Sequence, residues 1–175
     1  MMARTLLVFL CLAVVAAAYG QGESSKAARA LPAASELTGW QEVKGSYQYG
    51  TGDGLTAIYN GGYMMYVNAG VVEAAQRLYR KDKLYLTITT HTMRTANAAS
   101  AFLQHWEKAN AKEKRESTPG RGKGFVVMVG GATNVYWVQG GYFVTIMVTG
   151  SDAAAKKEAL AALAVVAKKT AAPAK

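Results

Sequence analysis

Two glycine pairs in the C-terminal half constrain the fold of this chain more than any other feature of its sequence. Gly130-Gly131 and Gly140-Gly141 each separate runs of β-branched and aromatic residues within residues 124–149. A glycine pair can adopt the positive φ values that tight hairpin turns require. The pattern predicts a three-stranded antiparallel meander, and it presents no arrangement of residues typical of catalysis.

The first 20 residues have the pattern of a secretory signal peptide. Arg4 supplies a positive start, residues 6–18 form an apolar run, and the small residues around Ala18 suit cleavage near Gly20. The run is shorter than the about 20 apolar residues that a membrane span needs. We therefore expect a secreted or periplasmic protein with no transmembrane helix in the mature chain, and a retained membrane anchor is the alternative.

Cysteine and charge limit the chemistry of the mature chain. The single cysteine, Cys11, lies inside the signal segment, so we expect no disulfide, thiol nucleophile or thiolate metal site after cleavage. The formal net charge of the whole chain is +9. This surplus favours an anionic partner, such as an anionic envelope polymer, or reflects only a soluble basic surface.

Composition and periodicity divide the rest of the chain. Residues 21–36 are small and polar, which predicts a flexible lead-in. Residues 37–168 are expected to form a single α+β domain. Residues 169–175 are expected to form a disordered tail. The predicted order in the domain is a strand over 40–49, a helix over about 55–66 after an Asp53 cap, a hairpin of 71–80 and 84–93, a helix capped by Thr95, the meander, and a helix opened by Ser151-Asp152. Helices alternating with hairpins predict an α+β fold, with a predominantly antiparallel sheet of about six strands and three helices packed on it.

A set of short motifs extends over nearly the whole mature chain. They are Leu31-Pro32, Leu37-x-Gly39-Trp40, Tyr59-Asn60-Gly61-Gly62 followed by Tyr66, Met93 followed by Asn97-Ala98 and Ala101-Phe102, and Tyr136-Trp137 followed by Gly140-Gly141-Tyr142-Phe143-Val144. With these motifs the chain resembles a family of secreted bacterial proteins known only as a domain of unknown function. The resemblance implies a secreted or periplasmic single domain and assigns no catalytic residues.

One predicted strand carries a polar and aromatic face. Side chains alternate along a strand, so Tyr85, Thr87, Thr89 and His91 share the face opposite Leu84, Leu86 and Ile88. Phe143, Thr145 and Met147 of the last strand are candidates to extend it. Such a face suits a shallow ligand site or a dimer contact. The alternatives are the solvated side of an antiparallel sheet and a floor beneath another helix.

A glycine-rich loop carries a cluster of cations. Arg121 and Lys123 lie within residues 118–124, and Arg115 precedes them in a run that also contains Lys112 and Lys114. Arg can pair with phosphate or sulfate through two hydrogen bonds, and Lys acts as a point charge. The sequence therefore predicts a candidate anion-binding loop, and a solvated connection is the alternative.

The only two histidines, His91 and His105, are candidate zinc ligands together with Glu107. The spacing lacks a short motif that would fix their geometry, and structural or surface histidines are the alternative. The chain also lacks a Gly-x-Ser-x-Gly nucleophile elbow and a nucleic-acid-binding signature. No catalytic residue, metal or other cofactor is predicted.

These observations favour a non-catalytic binding or interaction module of the bacterial cell envelope. The candidate ligand-binding residues are Tyr85, Thr87, Thr89, His91, Arg115, Arg121 and Lys123. The expected partner is an anionic envelope polymer or a protein, with no specific recognition of nucleic acid. The alternatives are a metal-assisted hydrolase that uses His91 and His105, and a structural subunit of an envelope assembly.

Overall fold

The computed structural model describes residues 22–171, so the predicted signal peptide and its cleavage site lie outside the described residues. The helices are α1 (Lys26–Ala30), α2 (Tyr63–Asn68), α3 (Ala96–Ala109) and α4 (Ala153–Thr170), with 3-10 turns at Ala34–Glu36 and Gly52–Ala57. The strands are β1 (Gln41–Glu42), β2 (Gln48–Thr51), β3 (Val71–Lys81), β4 (Leu84–Met93), β5 (Arg115–Ser117), β6 (Lys123–Val129), β7 (Ala132–Gln139) and β8 (Tyr142–Thr149). Within residues 22–171, no helix is both long and apolar enough to span a membrane.

The strands form one sheet in the order β1-β3-β4-β8-β7-β6-β5, and β2 also pairs with β3. Every strand pairing is antiparallel, which confirms the α+β prediction. The sheet has eight strands rather than about six, and the chain has more helices than the predicted three. Strands β1, β2 and β5 contain two to four residues each, too few for a recognisable alternation of side chains.

The predicted meander and hairpin are both present. Gly130 and Gly131 turn between β6 and β7 with φ values of 61° and 75°, and Gly140 begins the turn between β7 and β8 with φ of 56°. In the β3–β4 hairpin, Asp82 occupies the turn with φ of 54°. Positive φ is accessible to glycine and tolerated by aspartate, which explains why these turns could be read from the sequence.

Two helix starts are capped as predicted. The Thr95 side chain accepts a hydrogen bond from the Ala98 amide at 3.0 Å, and the Asp152 carboxylate accepts one from the Ala155 amide at 2.8 Å. Such caps satisfy backbone donors that the first helical turn leaves free. They fix the starts of α3 and α4, the two long helices that cover the sheet.

Helices cover both faces of the sheet. On the α4 face, defined by Leu86, Ile88, Trp137, Val144 and Ile146, the sheet packs against α1 and α4. On the opposite α3 face, side chains such as Phe125, Val138 and Phe143 pack beneath α2 and α3. The sheet is therefore the middle layer between two apolar clusters.

The N-terminal segment is not a flexible lead-in over residues 26–36, contrary to the prediction. Helix α1 packs on the α4 face with Ala27 and Ala30 buried, and the Thr90 hydroxyl donates to the Ala27 carbonyl at 2.6 Å. Tyr79 donates its hydroxyl hydrogen bond to the Pro32 carbonyl, also at 2.6 Å. Small alanine side chains let this short helix lie close to the sheet, a packing role that composition alone does not reveal.

Three other predicted boundaries are wrong. The predicted helix over 55–66 is interrupted at Gly61, which has φ of 80°, and Asp53 accepts a hydrogen bond from the Tyr63 hydroxyl at 3.3 Å instead of capping a helix. The predicted strand over 40–49 is broken into β1 and β2. The predicted tail begins too early, because α4 continues to Thr170, whose side chain is buried.

Candidate functional site

His91 closes one end of the α3 face. Its side chain is fully buried, and its Nδ1 lies 2.8 Å from the Phe143 carbonyl oxygen. A carbonyl can only accept, so Nδ1 carries the proton and Nε2 is left to accept the hydrogen bond from the Tyr59 hydroxyl. Both ring nitrogens therefore have protein partners.

His91, Tyr59 and Tyr66 form a packed cluster at this end of the α3 face, which we call the His91 corner. Burial sets the protonation of its side chains. It lowers the pKa of His91 to about 4, although the hydrogen bond to the Phe143 carbonyl acts in the opposite direction. Burial also raises the pKa of the Tyr59 hydroxyl well above its ordinary value. The Tyr59 ring stacks on Tyr66 with centroids 3.6 Å apart. At neutral pH the corner is an uncharged, packed support.

The structure does not assemble the candidate zinc site. His105 lies on the exposed side of α3, where its ring stacks against Phe102 at 5.9 Å, whereas His91 is buried with both nitrogens engaged. Within residues 22–171, no group of three or more His, Cys, Asp or Glu side chains is placed to hold a metal ion. His91 and His105 therefore do not meet in a shared donor set here.

Beside the His91 corner the α3 face opens into a trough of about 220 Å³. Strand pairing places Thr89 between Gln76 of β3 and Thr145 of β8. Met147, further along β8, is paired with Asn134 of β7. These strands supply the floor of the trough. The walls are aromatic and come from Tyr59, Tyr66, Trp106 and Tyr136.

The floor of the trough carries polar groups that the protein itself does not use. Gln76 donates through Nε2 to the Thr89 hydroxyl oxygen at 2.8 Å, and Thr89 is only 3% exposed. The side chains of Thr87, Thr145 and Asn134 make no hydrogen bond within residues 22–171 and are half-buried. Since half-buried polar groups lose much of their hydration, these three are available donors and acceptors for a ligand.

The wall formed by α3 and β7 is a stacked pair of rings. Trp106 and Tyr136 lie with centroids 4.9 Å apart at an interplanar angle of 21°. The indole nitrogen of Trp106 is buried and has no acceptor among the described residues. This wall combines a broad apolar surface with an unused N–H donor.

The predicted sheet-face residues separate into three environments. Thr87 and Thr89 lie in the trough floor, as does Thr145 of the predicted extension. His91 lies behind the trough with Phe143, and Tyr85 is 42% exposed at the far end of β4, outside the trough lining. The ligand-binding role of these residues stays a prediction. Thr87 and Thr89 are the residues of the predicted β4 set that line the trough.

Several lining residues were absent from the predicted set. Gln76 and Asn134 lie on neighbouring strands, and correct pairing of the predicted hairpin and meander would have placed Gln76 beside Thr89 and Asn134 beside Met147. Tyr136 also lies in the predicted meander, and the same strand pairing would have placed it beside Thr145. Tyr59 and Trp106 come from segments outside the sheet, and no sequence pattern relates them to its floor.

The predicted basic cluster is divided between the two faces of the sheet. Arg115 and Lys123 are paired with Val127 and Val138, which places them on the α3 face. Arg115 donates through Nη1 to the Glu107 carbonyl at 2.9 Å and lies 5.7 Å from the Phe125 ring centre. Arg121 instead lines a groove beside α4. The three cations therefore do not form one anion-binding patch.

The fold is similar to that of a known extracellular domain. No protein-family model matches the chain, and no curated protein matches it. Among solved structures, the extracellular domain of PknH from Mycobacterium tuberculosis superimposes with a TM-score of 0.56 at 14% sequence identity. The match covers 82% of this chain and 95% of that chain. At this identity the similarity establishes a shared fold.

Proposed function

We propose that this chain is a secreted or periplasmic, non-catalytic binding module of the bacterial cell envelope. In this proposal the trough on the α3 face takes a small, neutral, hydroxyl-rich ligand such as a sugar unit. The fold similarity to the extracellular domain of PknH supports the location, as does the signal-like N-terminal segment. The trough supports the ligand class.

The observation that carries the proposal is the set of uncommitted polar side chains between aromatic walls. Threonine hydroxyls donate and accept, and the asparagine amide does both through separate atoms, which suits a ligand whose hydroxyls do the same. The rings of Trp106 and Tyr136 line the trough and give the apolar C–H groups of a sugar a surface to contact. Binding sites commonly combine aromatic walls with a few placed polar groups.

The absence of charged side chains from the described trough lining supports a neutral ligand over the predicted anionic polymer at this site. Among residues 22–171, no Lys, Arg, Asp, Glu or His side chain lines the trough. Burial raises the pKa of Tyr66 to about 12, and it also raises that of Tyr136, so the phenols stay neutral. A neutral ligand avoids the cost of placing an unpaired charge in this partly desolvated space.

The test is saturation-transfer NMR of the purified protein with a panel of neutral mono- and disaccharides, followed by titration of any sugar that binds. The double variant Thr87→Val, Thr145→Val should weaken binding by about tenfold or more, because it removes two neutral hydrogen bonds at little change of shape. Thr92→Val is the matched control, since Thr92 lies on the same strand and is paired with Tyr142 on the α4 face.

Two results with the sugar panel and the double variant, and one with the control variant, would contradict this assignment. One is the absence of saturation transfer to every sugar in the panel. The other is sugar binding that the Thr87→Val, Thr145→Val variant retains at full affinity, because the ligand would then lie elsewhere on the molecule. Equal weakening by Thr92→Val would also count against the trough.

A further inference from the structure

A second cavity lies on the other side of the sheet and is independent of the trough. It is a groove of about 450 Å³ between α4 and the loop that connects β5 to β6. We call it the α4 groove. One wall is a stripe of α4 from Leu160 through Ala164 to Lys168, followed by Ala171 just beyond the helix, and the other includes Pro119 and Arg121. Its volume falls within the roughly 300–1,000 Å³ of small-molecule sites.

The loop wall is held in place by a close contact with the core. Gly122 has φ of +90°, and a Cβ at this position would lie 2.6 Å from the indole of Trp137. The loop can therefore lie directly on the buried tryptophan only because residue 122 is glycine. At the opposite end of α4, Lys156 forms an ion pair with Glu116 of β5. These contacts fix both walls and leave the groove open between them.

The helix wall leaves room because its side chains are small. Ala164 and Ala167 occupy the middle of the stripe, with the larger Leu160 and Leu163 toward one end. From Leu160 to its end at Thr170 the helix rises about 15 Å. A lining that follows the helix over this length suits an extended chain rather than a compact ring.

The lining is poor in hydrogen-bonding groups along this length. Gln139 is a polar side chain of the lining: its Nε2 donates to the Ala167 carbonyl at 3.1 Å, and its buried Oε1 is a single acceptor without a partner among the described residues. An extended peptide would bring backbone N–H and C=O groups that need partners, and burying them without partners is costly. An acyl chain has no such requirement, and its burial removes apolar surface from water.

Two cations border the groove without acidic partners. Arg121 lies on the loop wall and Lys168 on the helix wall, and neither forms an ion pair within residues 22–171. By contrast, Lys156 and Lys169 of the same helix pair with Glu116 and Glu36. The free charges therefore sit where the headgroup of a bound amphiphile would reach solvent.

We propose that the α4 groove binds a single acyl chain with an anionic headgroup. The chain lies along Leu160, Leu163, Ala164 and Ala167, and the headgroup pairs with Arg121 and Lys168. Arg can form two parallel hydrogen bonds to a carboxylate or phosphate, and the two cations together distinguish an acid from the corresponding alcohol. This inference goes beyond the proposed sugar site and does not depend on it.

The test is titration of the delipidated protein with decanoate, undecanoate and dodecanoate below their micellar concentrations, followed by calorimetry. Binding should saturate at one site, and affinity should rise about fourfold for each added methylene. Dodecanol should bind at least about tenfold more weakly than dodecanoate, because it cannot use the two cations.

Two variants separate the headgroup from the chain. The double variant Arg121→Ser, Lys168→Ser should weaken the binding of dodecanoate by about tenfold or more and leave the binding of dodecanol unchanged. The double variant Lys44→Ser, Lys83→Ser is the control, because it makes the same change of charge at exposed positions. Ala167→Phe should fill the groove and weaken both ligands, whereas Ala154→Phe, on an exposed turn at the other end of α4, should weaken neither.

Three outcomes would overturn the proposal. The first is failure of dodecanoate to saturate the full chain. The second is that Ala167→Phe binds dodecanoate as tightly as the unmodified protein does, while circular dichroism shows that the variant is folded. The third is binding that is seen only after residues 172–175 are deleted, which would make the chain's own C-terminal tail the occupant. In each case the sugar titration with Thr87→Val, Thr145→Val remains a separate result.

Discussion

The two faces of the sheet are built from the same strands yet have opposite characters. Along β4, Leu86, Ile88 and Thr90 face α1 and α4 and are fully buried. The alternating residues Thr87 and Thr89 face the trough. One face is closed by helices over the centre of the sheet, while the other is covered at the His91 end and open beside it.

The polar side chains of the two faces differ in whether they form hydrogen bonds within the protein. On the α4 face the buried Thr90 hydroxyl donates to the Ala27 carbonyl, so its polarity serves the fold. On the α3 face Thr87, Thr145 and Asn134 have no such partner among the described residues. A polar group that supports no internal contact is available for binding, and this contrast is the basis for proposing the trough as a site.

The largest expected effect comes from breaking the closed face. Trp137→Ala should lower the free energy of unfolding by about 3–5 kcal/mol, because Trp137 is fully buried and its removal leaves a cavity. Tyr85→Ala, on the open face where the side chain is 42% exposed, should cost less than about 1 kcal/mol. Guanidinium unfolding measures the loss of unfolding free energy in both variants. Equal losses would contradict the contrast between the faces.

The next effect concerns pH and the covered corner of the α3 face. The pKa of His91 is lowered from 6.5 to about 4, so the unfolded chain binds more protons than the folded protein between these values. Stability should therefore fall as pH decreases through this window, by up to roughly 3 kcal/mol from this group. Unfolding free energies measured at pH 7.5, 5.5 and 4.5 test the slope.

Variants isolate the histidine from carboxylates that titrate at lower pH. His91→Gln should flatten the slope between pH 6.5 and 4.5, whatever its effect on stability at neutral pH. His105→Gln, at the exposed histidine of α3, is the matched control for removing an imidazole from the chain. An unchanged slope in His91→Gln would mean that the corner opens and hydrates in solution.

Removing the donor to His91 should have a smaller effect. Tyr59→Phe leaves Nε2 buried without its hydrogen bond, which should cost about 1–3 kcal/mol. Tyr63→Phe removes the long bond to Asp53 at an exposed position, and it should change stability by less than about 0.5 kcal/mol. Equal effects of the two substitutions would show that the Tyr59 hydroxyl does not hold the corner.

The central strands could be predicted because their determinants are local. The glycine pairs of the meander, the alternation of β4, and the caps at Thr95 and Asp152 are all properties of adjacent residues. Helix α1 and strand β5 were missed because their order depends on distant contacts, such as Thr90 to Ala27 and the pairing of Arg115 with Val127. Composition of the segments themselves resembles that of loops.

The candidate site was predictable for one strand and not for its surroundings. Alternation placed Thr87 and Thr89 together, but it could not show that Tyr59 would engage His91 and bury it. The proximity of Arg115, Arg121 and Lys123 in sequence suggested one patch. Arg115 and Lys123 instead lie on strands at the α3 face, and the loop that joins those strands places Arg121 beside α4. Sequence proximity in a hairpin region does not determine which face a side chain occupies.

The smallest stability effect gives the sharpest comparison of the two faces. Thr87→Val and Thr90→Val change the same atom on the same strand, three residues apart. Thr90→Val should cost about 1–3 kcal/mol, because it leaves the Ala27 carbonyl without a donor in the core. Thr87→Val should lie within about 0.5 kcal/mol of the unmodified protein, because no internal hydrogen bond is lost. Comparable destabilisation by both would show that Thr87 serves the fold, and the trough would lose the free polar group on which its proposed role depends.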